Sequence, residues 1–244
     1  MQCPECQSNH INKNGHKKGK QNYICVNCGR QFIEVYEPQR GYSEEMKREC
    51  LKMYVNGLGF RAIERVKNVH HTTIMNWVKQ VGELLPDYYD PQTIPDVGEL
   101  DELETFVGSK NKIWLWTAVD HFKTGILGWV LGDHSAKTFA DLWKVVGQWK
   151  CHFYVTDGWK VYPNFIPDGD QIISKTYMTR VEGENTRLRH YLARLHRKTL
   201  CYSKSEQMLR HSIRLLIHYL KFEDVPVPYS NNRSYFPLNA RHFA

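Results

Sequence analysis

The sequence predicts an α/β protein in which a small metal-knit ribbon and an all-helical unit precede a larger mixed domain. Three observations predict it. Two Cys-x-x-Cys pairs, Cys3-Pro4-Glu5-Cys6 and Cys25-Val26-Asn27-Cys28, stand 18 residues apart near the N-terminus. Apolar residues then recur at helical spacing from Met46 to Val81. From Gly98 onward, strand-like runs come first and helical stripes follow.

The first part is residues 1–40. Zinc prefers four soft ligands in a tetrahedron, and Cys3, Cys6, Cys25 and Cys28 supply them. Each pair needs a tight turn, and Gly29 after the second pair suits one. Asn12–Ile24 is too polar to bury a core, so a bound Zn2+ would provide most of the folding energy. Lys13, His16, Lys17, Lys18, Lys20 and Arg30 make this a basic surface, suited to nucleic acid or simply to water.

The second part, residues 41–85, reads as a helix-turn-helix. Met46, Cys50 and Met53 recur at i, i+4, i+7, and Asn56-Gly57 ends that helix. Phe60, Ile63 and Val66 mark a short second helix, and Lys67-Asn68-Val69 is the turn. The third helix, about 71–83, has Ile74, Trp77, Val78 and Val81 on one face. Thr72, Met75, Asn76 and Lys79 lie on the opposite face, with Thr73 beside them. In this motif such a face enters the major groove, where Thr and Asn read base edges and Lys meets phosphate. A small helical packing unit with a polar outer face is the plainer reading. Residues 86–96 hold three prolines and no periodicity, which predicts a linker.

Residues 97–222 form the mixed domain. Gly98–Val107, Ile113–Val119 and Ile126–Leu131 read as three strands joined by short loops, Ser109-Lys110-Asn111 and His121-Phe122-Lys123, hence an antiparallel meander. Ser135 caps a helix with Phe139, Leu142, Trp143 and Val146 inside. Cys151–Thr156 is a fourth strand ending at Asp157-Gly158-Trp159, and Ile172-Ile173 sit in a fifth. One helix follows with Val181, Leu188, Leu192 and Leu195 inside, then another with Leu209, Ile213, Leu216 and Leu220. The order β-β-β-α-β-β-α-α describes a ribonuclease-H-like fold. In that architecture a carboxylate on the first strand meets one at the end of the fourth and one from a later helix. Asp101, Asp157 and Glu182 fit. Three carboxylates can hold two divalent cations, and Mg2+ or Mn2+ suits such oxygens. Among 26 acidic residues other trios also fit. Glu99, Glu102 and Glu104 compete with Asp101. Glu184 competes with Glu182 and lies closer to the leucine stripe. Residues 223–244, with Pro226, Pro228 and Pro237, read as a tail.

Composition agrees. Hydrophobic residues are 41% and charged residues 24%, which is globular. No apolar run reaches the ~18 residues of a membrane span. Met1-Gln2-Cys3-Pro4 carries no apolar leader, so a cytoplasmic, reduced-thiol protein is expected, nucleoid-associated when bound to DNA. Cys50, Cys151 and Cys201 are expected to have no metal role. The net charge of +7 is uneven: residues 1–80 carry +6, 81–105 carry −8 and 178–244 carry +7. Basic ends suit a phosphate backbone, and the acidic stretch between them suits a cation.

Three blocks carry a resemblance. Glu99-Leu100-Asp101-Glu102, Val155-Thr156-Asp157-Gly158-Trp159, and Arg180-Val181-Glu182 followed by Leu188–Lys198 and Ser203-Lys204-Ser205 resemble the insertion sequence one family of transposases. The resemblance implies a zinc ribbon and helix-turn-helix ahead of an Asp-Asp-Glu catalytic half. It places the triad on Asp101, Asp157 and Glu182, choosing Glu182 over Glu184. It also implies that Arg189, seven residues on, holds DNA phosphate near the metals. Members are often made by frameshifting between two overlapping frames, whereas this chain reads continuously. The implied activity is binding of terminal inverted repeats of double-stranded DNA, metal-dependent cleavage and strand transfer into a target. At least a dimer on DNA is implied, and no membrane partner. A non-catalytic DNA-binding regulator and a structure-specific nuclease of the same fold are the alternatives.

Overall fold

A computed structural model describes residues 1–17, 19–33, 41–91, 93–108, 111–196, 199 and 201–227. Expectations at Lys18, in the 109–110 loop, at Arg197 and Lys198, and beyond residue 227 lie outside the described residues. The chain divides into two compact units, Met1–Tyr42 and Ser43–Ala244.

The first unit is a three-stranded antiparallel sheet of β1 (Ile11–Lys17), β2 (Lys20–Cys25) and β3 (Gln31–Ile33). Its buried core is Cys3, Cys25 and Phe32, with Ile11 and Tyr23 packed beside them. So small a cluster does not balance the entropy of ordering the segment. The two knuckles share one design. In each, the residue after the second cysteine is left-handed, Gln7 at φ 57° and Gly29 at φ 72°. In each, that residue's N–H bonds back to the first cysteine's carbonyl, Gln7 to Cys3 and Gly29 to Cys25, at 2.9 Å.

The second unit opens with α1 (Glu44–Val55), α2 (Phe60–Lys67) and α3 (His71–Leu84). Ser43 caps α1, its side chain accepting from Met46 N. Asn68, left-handed at φ 54°, ends α2 and makes the expected turn. Two expectations are corrected. Val66 is 60% exposed, not an inner residue of α2. Met75 is half-buried against the core rather than on the outer face. α2 is only eight residues long and buries Ile63 alone, while Met75 borders the buried stripe of α3 between Ile74 and Val78.

A five-stranded mixed sheet follows: β4 (Val97–Val107), β5 (Asn111–Asp120), β6 (Ile126–Gly132), β7 (Phe153–Thr156) and β8 (Gln171–Ile173). The spatial order is β6-β5-β4-β7-β8. The first three strands pair antiparallel, whereas β7 runs parallel to β4 and to β8. Between β6 and β7 comes α4 (Ala136–Val146), capped by Ser135. The chain ends its described part with α5 (Thr179–Tyr191) and α6 (Glu206–Phe222). The helix expected to run through Leu195 stops at Tyr191; Leu192 is extended and a single 3-10 turn, Ala193–Leu195, follows. Leu192 and Leu195 are buried all the same.

The alternation along β5 sorts the core into two layers. Ile113, Leu115 and Val119 face a layer shared with α1, α2, α3, α5 and α6. Trp116 and Ala118 face the other, which holds Phe139, Leu142, Tyr154 and Tyr162. The first helices are therefore packed into the sheet domain. Tyr54 OH and Ser212 Oγ are 2.7 Å apart in the interior. Gly82 on α3 meets α6 so closely that an added Cβ would lie 2.5 Å from His211 Cβ. Residues 86–91 are tied down as well. Asp87 accepts from Arg214 at 2.7 and 2.9 Å and from Arg210 at 3.2 Å. Tyr89 N donates to Leu127 O at 3.1 Å. Among the described residues no helix is long and apolar enough to cross a membrane.

Candidate active site

The sheet order decides where the acids meet. On β4, Glu99 pairs with Val155 of β7 in parallel register. Carrying that register on by two residues brings Asp157, just past β7, level with Asp101. Glu182 comes from the first turn of α5, which packs on β4 and β5. A cavity of about 360 Å³ results, lined by Asp101, Glu102, Asp157, Glu182, Lys175 and Arg189, with Leu103, Met178, Asn185 and Thr186. Glu182, Thr186 and Arg189 recur at i, i+4, i+7, so one stripe of α5 faces the cavity. Val181, Glu184 and Leu188 are buried on the far side, and Asn185, also buried, stands between the two stripes and lines the cavity.

The surroundings also explain the acids that competed in the sequence. Glu99 is wholly buried; one oxygen accepts from Val181 N at 2.7 Å and the other is held by His121 Nδ1. It caps the start of α5, satisfying an N–H that the helix leaves unpaired. Glu184 is also buried and accepts from Gly125 N at 2.9 Å and from Arg187 at 3.0 and 3.1 Å. Glu104 pairs with Lys112 at 3.3 Å. Glu102 does reach the cavity, steadied by Tyr162 OH at 2.8 Å and His134 Nε2 at 2.9 Å.

The two aspartates are held differently. Asn185 Nδ2 donates to Asp101 Oδ2 at 2.8 Å, and Thr117 Oγ1 lies 3.1 Å from Asn185 Oδ1 and fixes the amide's direction. Burial, and then the nearby charge of Glu102, pushes the Asp101 carboxyl up to about 6; Asn185 works against that rise. Asp157 Oδ1 accepts from Trp159 N at 2.9 Å. Gly158 between them has φ +85°, and a Cβ there would lie 2.7 Å from Ile173 Cγ2, so glycine is required. Trp159 is packing rather than cleft wall: its ring stacks on His134 at 3.9 Å and lies 5.2 Å from Trp116.

Asn185, Lys175, Thr186 and Met178 were not singled out in the sequence. Asn185 carried a usable signal, since it falls one turn after Glu182 and on the side of Leu188. Lys175 carried none; its 3-10 turn, Lys175–Tyr177, becomes visible only once β8 is placed. Of the other basic residues, Arg194 is occupied within the core layer. Its guanidinium lies 5.4 Å from the Tyr54 ring and its Nη1 donates to Ser203 Oγ at 3.0 Å. On α3, Thr72, Asn76 and Lys79 are exposed on the outer face, whereas Thr73 is half-buried.

A second cluster lies in the first unit. The ligand atoms of Cys3, Cys6, Cys25 and Cys28 all lie within 4.8 Å of one another. The Cys3–Cys28 and Cys6–Cys25 sulfurs are 3.5 Å apart. A tetrahedral zinc with Zn–S bonds of about 2.3 Å would set them roughly 3.8 Å apart, so the residues fit that ion. The thiols do not titrate alike. Against the upward pull of burial, the N–H groups of Cys28 and Asn27 bring Cys25 down to about 6. Cys28 accepts from the Arg30 backbone, yet burial and the neighbouring sulfurs push it up to about 12. Four crowded thiols do not ionise together without a cation among them. The pocket carboxylates form a looser set, outside that 4.8 Å spacing.

Fold and site together define a class: an α/β protein with an acidic pocket at the carboxyl end of a parallel strand, behind a cysteine-knuckle ribbon. Comparison with known proteins narrows it. The sequence profile of the IS1 transposase family matches residues 96–223. The chain is 33% identical over 126 residues to insertion element IS1 protein InsB of Shigella sonnei, covering 51% of this chain and 94% of that protein. It is equally identical to insertion element IS1 9 protein InsB of Escherichia coli K12, over 51% of this chain and 74% of that one. The chain belongs to the IS1 transposase family, and its role is in DNA transposition and recombination.

Proposed function

We propose that this chain is an Asp-Asp-Glu transposase with a ribonuclease-H-like catalytic domain. In this reading it binds the terminal inverted repeats of an insertion sequence, cuts at their ends and transfers the freed strands into target DNA. The observation that carries it is the cavity that Asp101, Asp157 and Glu182 share with Lys175 and Arg189. Membership of a transposase family supports it.

Mg2+ or Mn2+ suits the donor set. The acids in the cavity are hard oxygen ligands, and the charge of Glu102, which adds to burial in lifting Asp101 to about 6, is what a dication would offset. When bound there by Asp101, Asp157 and Glu182, such a metal would supply Lewis acidity to the phosphodiester oxygens. The chain's own residues do the rest. Asn185 holds one oxygen of Asp101 and leaves the other turned to the cavity. Trp159 N fixes Asp157 by one oxygen in the same way. Arg189, two turns along α5 from Glu182, and Lys175, on the connection from β8, grip backbone phosphate from separate elements. Thr72, Thr73, Asn76 and Lys79, on the outer side of α3, contact repeat DNA. The basic face of the ribbon adds grip that does not depend on sequence. The four-cysteine cluster holds Zn2+. Two element ends must be joined, so the working form is at least a dimer on DNA.

The test is cleavage and strand transfer on terminal-repeat DNA with Mg2+ or Mn2+. Asp157→Asn and Glu182→Gln should each abolish cutting while leaving repeat binding unchanged. Undiminished cutting by either variant rejects the assignment.

A further inference from the structure

We propose a second transition-metal site, formed by Glu64, His70 and His71 at the turn joining α2 to α3. One oxygen of Glu64 and one ring nitrogen from each histidine all lie within 4.8 Å of one another. Among the described residues, this and the four-cysteine set are the groups of three or more candidate ligands that close to that distance.

Local structure builds the cluster. Glu64 sits on the last full turn of α2, where Asn68 N bonds back to its carbonyl. The left-handed Asn68 then reverses the chain, so that His70, the N-cap of α3, and His71, its first residue, return beside Glu64. His71 Nδ1 is 2.8 Å from Glu64 Oε2, and His70 Nε2 is 3.8 Å from Glu64 Oε1. The two rings lie 4.3 Å apart, tilted by 35°. A tetrahedral zinc with N and O bonds of about 2.0–2.1 Å sets its ligands roughly 3.3 Å apart. The two observed distances bracket that value, and the third pair, His70 to His71, lies within 4.8 Å. The His70 and His71 side chains are 59% and 27% exposed, which gives them room to move and leaves a fourth position for water.

The donors choose the metal. Two imidazoles and one carboxylate suit Zn2+, and imidazole is a poor ligand for Mg2+. Thr72 Oγ1 lies 2.7 Å from His70 Nδ1. Thr72 N also donates to that Nδ1, at 3.4 Å, so Thr72 holds the His70 ring with Nε2 toward Glu64, the outer support metal-binding histidines usually have. A plain Glu64–His71 hydrogen bond would clamp the turn, with His70 serving as the cap of α3. A metal uses all three, and it pins α2 against the first turn of α3, directly ahead of Thr72, Thr73 and Asn76.

Zinc content of the full chain tests this, independently of catalysis. Wild-type protein, His70→Ala and Asp157→Asn are equilibrated in micromolar free Zn2+, passed through a desalting column and measured by atomic emission. Circular dichroism checks that His70→Ala, a change at an exposed side chain, keeps its fold. Wild type should hold one zinc per chain more than His70→Ala, and Asp157→Asn should match wild type. Titration with Co2+ should show the same difference as ligand-field absorption lacking the thiolate charge-transfer band of the cysteine site. Equal zinc in wild type and His70→Ala overturns the proposal, whatever the cleavage assays report. So does a cobalt equivalent lost with Asp157→Asn instead.

Discussion

On the proposed reading, the ribbon and the acidic pocket are two ways of preparing for a metal. In the ribbon, sequence-local knuckles bring four sulfurs within 4.8 Å around a core of only three buried residues. Such a unit needs its metal in order to fold. In the pocket, acids from β4, the end of β7 and α5 are gathered by a core that is complete without them. It is built on Leu103, Leu115, Val181, Leu188 and their neighbours. There the fold comes first, and Asp101 is held buried beside Glu102 at a cost visible in its raised carboxyl. The lesson is about order. Ligands close in sequence make a metal part of the folding reaction, and ligands distant in sequence make it part of the chemistry.

The largest expected effect strikes the first half of that comparison. Stripping the cysteine metal with a chelator should unfold residues 1–42 outright, since zinc contributes about 10–16 kcal/mol to such sites. The melting of the second unit should hardly move. Amide exchange resolved by segment reads both. Joint collapse of the two units would break the distinction. Next comes Asp157→Asn, which should lower cleavage by at least about 10³-fold and leave the melting temperature near its starting value. A large stability loss would mean that this acid belongs to the core.

A middle-sized effect concerns packing alone. Gly82→Ala puts a methyl 2.5 Å from His211 Cβ and should destabilise the second unit by about 1–3 kcal/mol. Denaturant melts followed through the buried tryptophans would report it. An unchanged midpoint would show that α3 and α6 are less tightly joined than described.

The smaller effects sharpen the pocket. Asp101 is raised to about 6, so its neutral acid predominates below that pH and its carboxylate above it. A dication needs the carboxylate. Mn2+ affinity should therefore be level well above pH 6 and weaken toward about tenfold per unit as pH falls below it. Calorimetry across about pH 5 to 8 gives the profile. Asn185→Ala removes a bond to a charged group and should cost roughly tenfold in rate. It should also move that profile to higher pH, because Asn185 opposes the rise at Asp101. A profile that stays in place would separate Asn185 from Asp101.

How much of this was legible in the sequence varies with the range of the interaction. The cysteine knuckles, the Ser135 cap and the alternating strands are local signals, and the structure carries them all. The turn at Asn68 is local too. What failed was also local in origin but settled at a distance. Val66 fits a helical stripe, yet the short α2 rolls it outward. Leu192 and Leu195 continue the α5 stripe by number, but the helix ends and a 3-10 turn carries them inward. The crowd of acids around Asp101 was illegible without pairing partners. Glu99 is set apart by the first turn of α5, 82 positions away, and Glu184 by Gly125 on another loop. Lys175 could not be found by any spacing rule, because the sheet, not the sequence, brings it to the cavity.

The most direct measurement is a crystal structure of the full chain grown with Mn2+, read from anomalous scattering. The account predicts metal within about 2.2 Å of carboxylate oxygens of Asp101, Asp157 and Glu182, with Asn185 still on Asp101. Manganese bound elsewhere, with the three carboxylates pointing apart, would contradict it.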